Sequence, residues 1–433
     1  MKIIDLEKAK KKGINNKVKI KGRVLAKRSF KKIVFIKIID GLSEDQIVFK
    51  EKISETKEIK LGDIIVSISK IFINEKGIKC FLNKSFKIVT KNNVFLPDKK
   101  KNITNKEQYY KKSYIRIATN ILDKKKIYRR FKAIETIRKF MNRNNFLEVE
   151  TPILSEMTEG SDSKPFLTKH NSLKKKMFLR ISPELNLKKM LISGFEKIFE
   201  IGKNFRNEGI SKKHYPEFLN IEFYKTYENY KWGMFFLEKL IKNLANSYVR
   251  SGIKNKNIDK IIKDKFDEIT IDEAIIKYGG IKINEINNKE KFISVLKEKK
   301  YLNYSLEEIK FVFFEKKISK KIKKPTFVTE YPIFSSPLAK INKKKKKLDR
   351  FELYISGIEV ANGFSELNDY IEQKERFNKQ KNINKKKINK NFIESMKFGM
   401  PPACGCGLGI DRIIMIIEKL NNIKEILVFP ELR

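Results

Sequence analysis

The sequence predicts an α+β fold in two parts, and three observations carry that prediction. Residues 17–90 alternate apolar and polar side chains in short runs; residues 91–115 break the pattern with Pro97 and a polar tract; beyond them, segments of helical period mix with strand-like ones. A chain of 433 residues can hold about two or three domains, each with its own core. Hydrophobic residues at 41% and aromatics at 11% exclude a disordered chain.

Taken in order, the runs VKIKGRVLAK, KIVFIKIID, DQIVFK, DIIVSISKIFI and KCFLNKSFKIV predict about five strands, the inventory of a small Greek-key barrel. The oligonucleotide-binding type of barrel suits them, and so does a barrel with a structural role only. Residues 91–115 read as a linker, which puts a first domain at 1–98 and a second at 99–433. A helix comes next, because Ile127, Phe131, Ile134, Ile137 and Met141 recur at helical spacing, and FLEVETPIL is strand-like up to Pro152. In RISPELNLKKML, Ser182 is expected at the N-cap, Pro183 at the first helical position and Glu184 in the first turn. Residues 196–230 predict a hairpin that loops out FRNEGISKKHYPEF between two apolar alternating stretches. Residues 255–325, dense in Lys, Ile and Asn, read as a mostly helical insertion with no chemistry assigned. Lys343–Lys347 is expected as a solvated loop and RFELYI as a strand, with GIEVANGFSELND after it. Gly405, Gly407 and Gly409 suit a close backbone approach, and IDRIIMIIEKL reads as a helix with Asp411 and Arg412 near its start.

The net charge of +45 fits attraction to a polyanion, but Lys, Ile and Asn are in excess along the whole chain. Compositional drift therefore accounts for most of the charge and nucleic acid for part of it. Cys80, Cys404 and Cys406 make no disulfide framework, and His170 and His214 are too few for a zinc site, so a reducing compartment is expected. No signal-peptide stretch opens the chain and no run of about 18 apolar residues occurs, which predicts a cytoplasmic protein without a membrane partner.

Five carboxylates, Glu184, Glu222, Glu352, Glu359 and Glu366, fall in segments that otherwise read as buried. Buried acids need a cation, and the candidates are Mg²⁺, a basic ligand or the chain's own Lys and Arg. For an average Glu here a surface position balancing lysines fits better, but Glu359 and Glu366 flank Ala361, Asn362 and Gly363 in a lysine-free stretch. On FLNIEFYKTY, Phe218, Asn220, Glu222 and Tyr224 share one face, and Leu219, Ile221 and Phe223 the other. Arg206 and Arg412 suit bidentate phosphate contacts, and with acidic metal ligands they suit a nucleoside triphosphate. The chain contains no P-loop and no G-x-G-x-x-G after a strand, so ordinary modes of nucleotide binding are excluded. Phe218 offers adenine a stacking face, although a lone Phe at a strand start is ordinarily core. The segment Lys317–Lys320 imitates a KMSKS signature, as chance allows in so lysine-rich a chain, and Cys404 with Cys406 reads as packing rather than a metal site.

These residues match a family. FEIGKNFRNEGISKKHYPEFLNIEFY resembles motif 2 of the class II aminoacyl-tRNA synthetases, FLEVETPIL motif 1 and GLGIDRIIMI motif 3. PFLTKHN, RISPELNLKKML, PTFVTEYP, SPLAK, NGFSELND and ILVFPELR resemble the class II lysyl-tRNA synthetases in particular. The resemblance implies an OB-fold anticodon-binding barrel followed by a catalytic domain on an antiparallel sheet flanked by helices. It implies ATP bound by Arg206, Glu208, His214, Phe218, Glu352 and Arg412, with Arg206 and Arg412 catalytic and Mg²⁺ on Glu352 and Glu359. L-lysine would be held by Gly160, Glu184 and Glu222 at its α-amino end and by Tyr224, Asn362 and Glu366 at its ε-ammonium. Arg23, Phe35 and Gln46 match anticodon-site positions of tRNA(Lys), and motif 1 implies a homodimer. Two other readings keep parts of this: a paralogue that lysylates a protein, which resembles the catalytic domain alone, and an RNA-binding protein with an inactive synthetase domain. The chain departs from the family in GIEV, where an Arg-containing GREI is common, and in Cys404 and Cys406, where small or apolar residues are usual.

Overall fold

A computed structural model describes residues 1–51, 53–94, 110–157, 163–384 and 389–430. They divide into two compact units, Met1–Arg130 with Lys424–Arg433, and Phe131–Ile423. The boundary expected at residue 98 lies outside the described residues.

In the first unit, strands β1 (Lys17–Phe30), β2 (Ile33–Asp40), β3 (Ser43–Phe49), β4 (Ile64–Ile73) and β5 (Lys79–Thr90) close a barrel in the order β1-β2-β3-β5-β4. All pairs are antiparallel except β3 with β5, as the five alternating runs predict for a barrel of the OB type. The alternation works residue by residue: Val34, Ile36 and Ile38 of β2 are buried, so Phe35 and Lys37 point outward. Helix α1 (Leu6–Lys10) adds Leu6 and Ala9 to the barrel core. Helix α2 (Ser113–Thr119) belongs to the same unit, and α3 (Ile121–Arg143) crosses the unit boundary. On α3, Ile127, Ala133, Ile137 and Met141 are buried, while Phe131, expected on the apolar face, is 52% exposed.

In the second unit a nine-stranded sheet runs β12-β13-β15-β16-β17-β11-β10-β6, with β14 (Ile341–Asn342) beside β15. Its members are β6 (Leu147–Glu148), β10 (Lys197–Phe205), β11 (Glu217–Thr226), β12 (Asp267–Thr270), β13 (Thr326–Tyr331), β15 (Lys347–Ile355), β16 (Ile358–Ser365) and β17 (Ala403–Gly409). Pairing is parallel at the β12–β13 and β6–β10 contacts and antiparallel in the rest. Helix α5 (Tyr230–Arg250) covers one face: a Cβ on its Gly233 would lie 2.7 Å from the Cys404 sulfur and 2.8 Å from that of Cys406. The paired cysteines are thus packing atoms, free and buried. Helix α4 (Glu184–Ile192) borders the other face, to which the first turn of α12 (Ile410–Ile417) contributes Arg412.

Residues 255–325 carry the helices α6 (Lys256–Lys263), α7 (Ile271–Gly279), α8 (Lys289–Leu296) and α9 (Leu306–Phe313). Their core around Ile275, Phe292, Ile309 and Phe314 continues into the sheet through Val328, Tyr331, Leu348 and Tyr354. Helices α10 (Tyr370–Asn384) and α11 (Lys390–Lys397) complete the unit. Two local expectations need correction. FLEVETPIL is not one strand: β6 is two residues long and β7 (Leu154–Ser155) pairs instead with β9 (Lys175–Leu179), next to β8 (Leu167–His170), because Pro152 supplies no N–H to continue a ladder. Pro183 rather than Ser182 stands at the N-cap of α4, and the Ser182 hydroxyl is buried without a hydrogen-bond partner. Among the described residues no helix is long and apolar enough to cross a membrane.

Candidate active site

Strand β11 sets the site. Its alternation buries Leu219, Ile221 and Phe223 on one side and turns Phe218, Asn220, Glu222 and Tyr224 into a cavity of about 460 Å³ on the other. The loop from β10 into β11 is pinned at its neck by the Arg206 N–H donating to the Pro216 carbonyl at 2.8 Å and at its tip by the Ser211 N–H donating to the His214 carbonyl at 3.0 Å. Strand β17 lies alongside and its glycines keep the floor low. A Cβ on Gly405 would be driven into the Glu366 carboxylate and the Tyr224 ring, and one on Gly407 would touch Asn220, Glu222 and Asn362 at 3.5–3.6 Å. The absence of side chains on this strand leaves room for a ligand.

One end of the cavity is basic. Arg206 holds its guanidinium 5.2 Å over the Phe218 ring, and its buried Nε has no hydrogen-bond partner. Such a donor calls for an anion. Arg412, in the first turn of α12, donates to the Glu359 carbonyl at 2.9 Å and to its carboxylate at 3.3 Å. Lys213 and His214 line the same end. Burial, with Arg412 close by, pushes His214 below its ordinary value, so its ring is neutral at pH 7, with Nδ1 2.8 Å from the Ser211 hydroxyl.

The opposite end is acidic. Glu222 is buried between the Asn220 amide, which donates at 3.2 Å, and the Tyr224 hydroxyl, which donates at 3.4 Å. Burial, then Glu184 and Glu200, raise its carboxyl to about 8 against the pull of Arg180. Glu366, at the start of the turn after β16, is 1% exposed, and burial raises it too while Lys188 opposes the rise. A cavity with a buried acidic end and an unpaired guanidinium at the other fits a zwitterion whose cationic part goes deep and whose anion faces a phosphate.

The structure brings most of the expected residues together. Arg206, Glu208, His214, Phe218 and Arg412 line the cavity from the expected nucleotide set, and Glu184, Glu222, Tyr224 and Asn362 from the amino-acid set. Glu359 also lines it, whereas Glu352 and Glu366 sit behind the lining, and Gly160 lies outside the described residues. Glu352 already accepts from Arg350 at 2.5 Å, Tyr331 at 2.8 Å and Tyr354 at 2.6 Å; burial and Glu359 still raise its carboxyl. Its strand neighbour Glu359 offers a second hard oxygen donor, yet among the described residues no three His, Cys, Asp or Glu gather into a metal-binding group. A divalent cation here would have to displace Arg350 or the two tyrosines from Glu352, so Glu359, which lines the cavity, is the more available oxygen donor of the two. On the barrel, Phe35 faces outward opposite Arg28, Gln46 stands opposite Lys37, and Arg23 donates to the Gly62 carbonyl at 2.7 Å.

Sequence reasoning missed Ser182 and Phe364 in the lining, Arg350, Tyr331 and Tyr354 around Glu352, and Lys188 beneath Glu366. Only Lys188 left a signal: it stands four residues after Glu184, one helical turn away.

Compared with known proteins, residues 105–433 match the family model described as tRNA synthetases class II (D, K and N). The chain is 44% identical over 441 residues to a lysine–tRNA ligase of Buchnera aphidicola subsp. Cinara cedri (strain Cc), covering 97% of this chain and 87% of that protein. It is 37% identical over 440 residues to a lysine–tRNA ligase of Paraburkholderia phytofirmans (strain DSM 17436 / LMG 22146 / PsJN), covering 96% and 85%.

Proposed function

The chain belongs to the class II tRNA synthetases of the D, K and N group, and on that premise we propose that it is the ligase that charges tRNA(Lys) with L-lysine. In the first step the lysine carboxylate attacks the α-phosphorus of ATP, giving lysyl-adenylate and pyrophosphate. In the second the terminal ribose 3′-hydroxyl of the tRNA attacks the adenylate carbonyl, giving lysyl-tRNA and AMP.

The observation that carries the choice of lysine is the acidic end of the cavity, where Glu184, Glu222 and Glu366 converge. Aspartate or asparagine, the other amino acids of the group, bring one ammonium where lysine brings two, and a site left with an unmatched buried charge rejects the ligand. Glu184 and Glu222 take the α-ammonium, and Glu366, Tyr224 and Asn362 the ε-ammonium. Gly160 completes the first of these groups.

At the basic end the unpaired Arg206 guanidinium takes the α-phosphate and the lysine carboxylate, stabilising charge that grows as the new bond forms. Glu208 accepts from the adenine amino group and Phe218 stacks on the ring. His214 and Arg412 hold the β- and γ-phosphates; Glu352 and Glu359 would hold Mg²⁺, which would supply screening of the polyphosphate charge. These are positioning and electrostatic roles, and none needs a covalent enzyme intermediate.

The barrel, up to residue 98, takes the anticodon on its outer face through Arg23, Phe35 and Gln46, with Phe35 stacking a splayed base. A protein acceptor is disfavoured because the relatives match the barrel as well as the catalytic part. Exposed Leu147, Ile153, Leu154 and Leu167, all in or beside motif 1 and the small sheet, support a homodimer. Three reduced, buried thiols support a cytoplasmic setting.

The test is amino-acid-dependent ATP–pyrophosphate exchange followed by charging of tRNA transcripts. Lysine is expected to support exchange and aspartate not. Glu366→Gln should lower kcat/KM for lysine by roughly 100-fold or more, whereas Arg23→Ala should spare exchange and weaken charging. Exchange with aspartate but not lysine, or wild-type efficiency in Glu366→Gln, would overturn the reading.

A further inference from the structure

The amino-acid end of the cavity already contains an ammonium. Lys188, one turn after Glu184 on α4, is 1% exposed, with Nζ 2.8 Å from Glu184 Oε1, 2.6 Å from Glu366 Oε2 and 5.3 Å from the centre of the Phe364 ring. Neither buried oxygen of Glu366 has a hydrogen-bond partner; Oε2 is met by Lys188 as an ion pair, whereas Oε1 has no cation and lies against Gly405 and the Tyr224 ring.

We propose that Lys188 is a positioning and specificity-determining residue: it favours the ionised form of Glu366 and orients that carboxylate by one oxygen, so that the other is left for the ε-ammonium of the incoming amino acid. The inference rests on the reading of this end as the lysine pocket.

Charge decides it. Glu184, Glu222 and Glu366 face the single ammonium of Lys188, while Arg180 is matched by Glu200 at 2.5 Å, so once Glu222 gives up its proton to the arriving ligand the pocket carries an excess of two negative charges. An amino acid with two ammoniums neutralises that excess, its own carboxylate being met by Arg206. Without Lys188 the excess would be three, and a buried acid in that position relieves itself by taking up a proton. A protonated Glu366 offers an O–H where the substrate needs an acceptor. Glu184 from α4, Glu222 and Tyr224 from β11 and the Cys406 thiol from β17 are the other titratable groups around it, and each acid among them favours that protonation. Lys188 alone opposes it.

Exchange kinetics against pH test this in the full chain, with Lys188→Met, Lys188→Gln and Lys188→Arg. Lys188→Met should lose at least ~10-fold in kcat/KM for lysine near pH 7, a shift of one unit in the acid limb, through KM for lysine and not KM for ATP. The loss should narrow toward pH 9 as base ionises Glu366, and the ratio of lysine to the neutral isostere norleucine should fall. Lys188→Arg, which keeps the charge, should return the midpoint to the wild-type position. Wild-type kinetics in Lys188→Met overturn the inference, and so does a loss that is equal at every pH and shared by the KM for ATP. Lys188→Gln carries the same readouts if Lys188→Met does not fold, and a midpoint displaced in Lys188→Arg by a full unit also overturns it. Absence of lysine exchange in the wild-type chain sinks the ligase reading instead.

Discussion

Glu222 is a carboxyl group that its surroundings make hard to ionise. Held at about 8 in the folded chain against 4.5 for an ordinary glutamate, it binds its proton more tightly when folded. Its contribution to stability is therefore full below about pH 4.5 and is lost as the pH rises through about 8. Lysine binding requires the ionised form, so at about pH 7 the ligand should expel on the order of one proton per site, and none above about pH 9. Titration calorimetry in buffers of different ionisation enthalpy reads this number directly; lysine binding without proton release at pH 7 would show that the acid is already ionised. At this scale legibility tracked rarity. Arg206 and His214 stood out because Arg and His are uncommon against the lysine background, whereas Lys188 is one of 97 basic residues and carried no signal beyond its spacing from Glu184.

Strands were legible where their two faces differ. FLNIEFYKTY separates an apolar face from a polar one, and β11 places them as the alternation requires. FLEVETPIL has the same apolar content but ends as two strands of two residues, with Leu147 and Leu154 exposed, because its pattern specifies no buried face within the monomer. The glycines of β17 were read as a close approach, and the structure says what approaches: the Glu366 carboxylate and Tyr224 ring at Gly405. Gly405→Ala should therefore raise KM for lysine by about 10-fold or more while the KM for ATP changes little, since a methyl group there displaces the acid and not the arginines. Exchange kinetics check the first part and thermal melting checks that the sheet is intact. An unchanged lysine KM would mean that Glu366 moves aside without cost.

For the whole molecule, the division into a barrel and a larger α+β unit was legible from the change in period near residue 90, and the insertion from its composition. That the insertion shares one core with the sheet was not, because its apolar residues are spaced among lysines with weak periodicity. The net charge of +45 predicts a difference between the two half-reactions. Raising monovalent salt from about 50 to 200 mM should weaken tRNA charging at low tRNA by on the order of 10-fold or more through counterion release, and leave exchange nearly unchanged. Parallel salt titrations of both assays decide it, and equal sensitivity would assign the charge no part in tRNA binding. The acidic end of the cavity also gives this charge a second meaning. A free lysine approaches uphill, repelled at long range by a surface of its own sign, and is attracted only once it is inside; ATP approaches downhill and, once bound, flattens the barrier for the amino acid behind it. At low ionic strength the field therefore favours the encounter with the nucleotide over that with the amino acid.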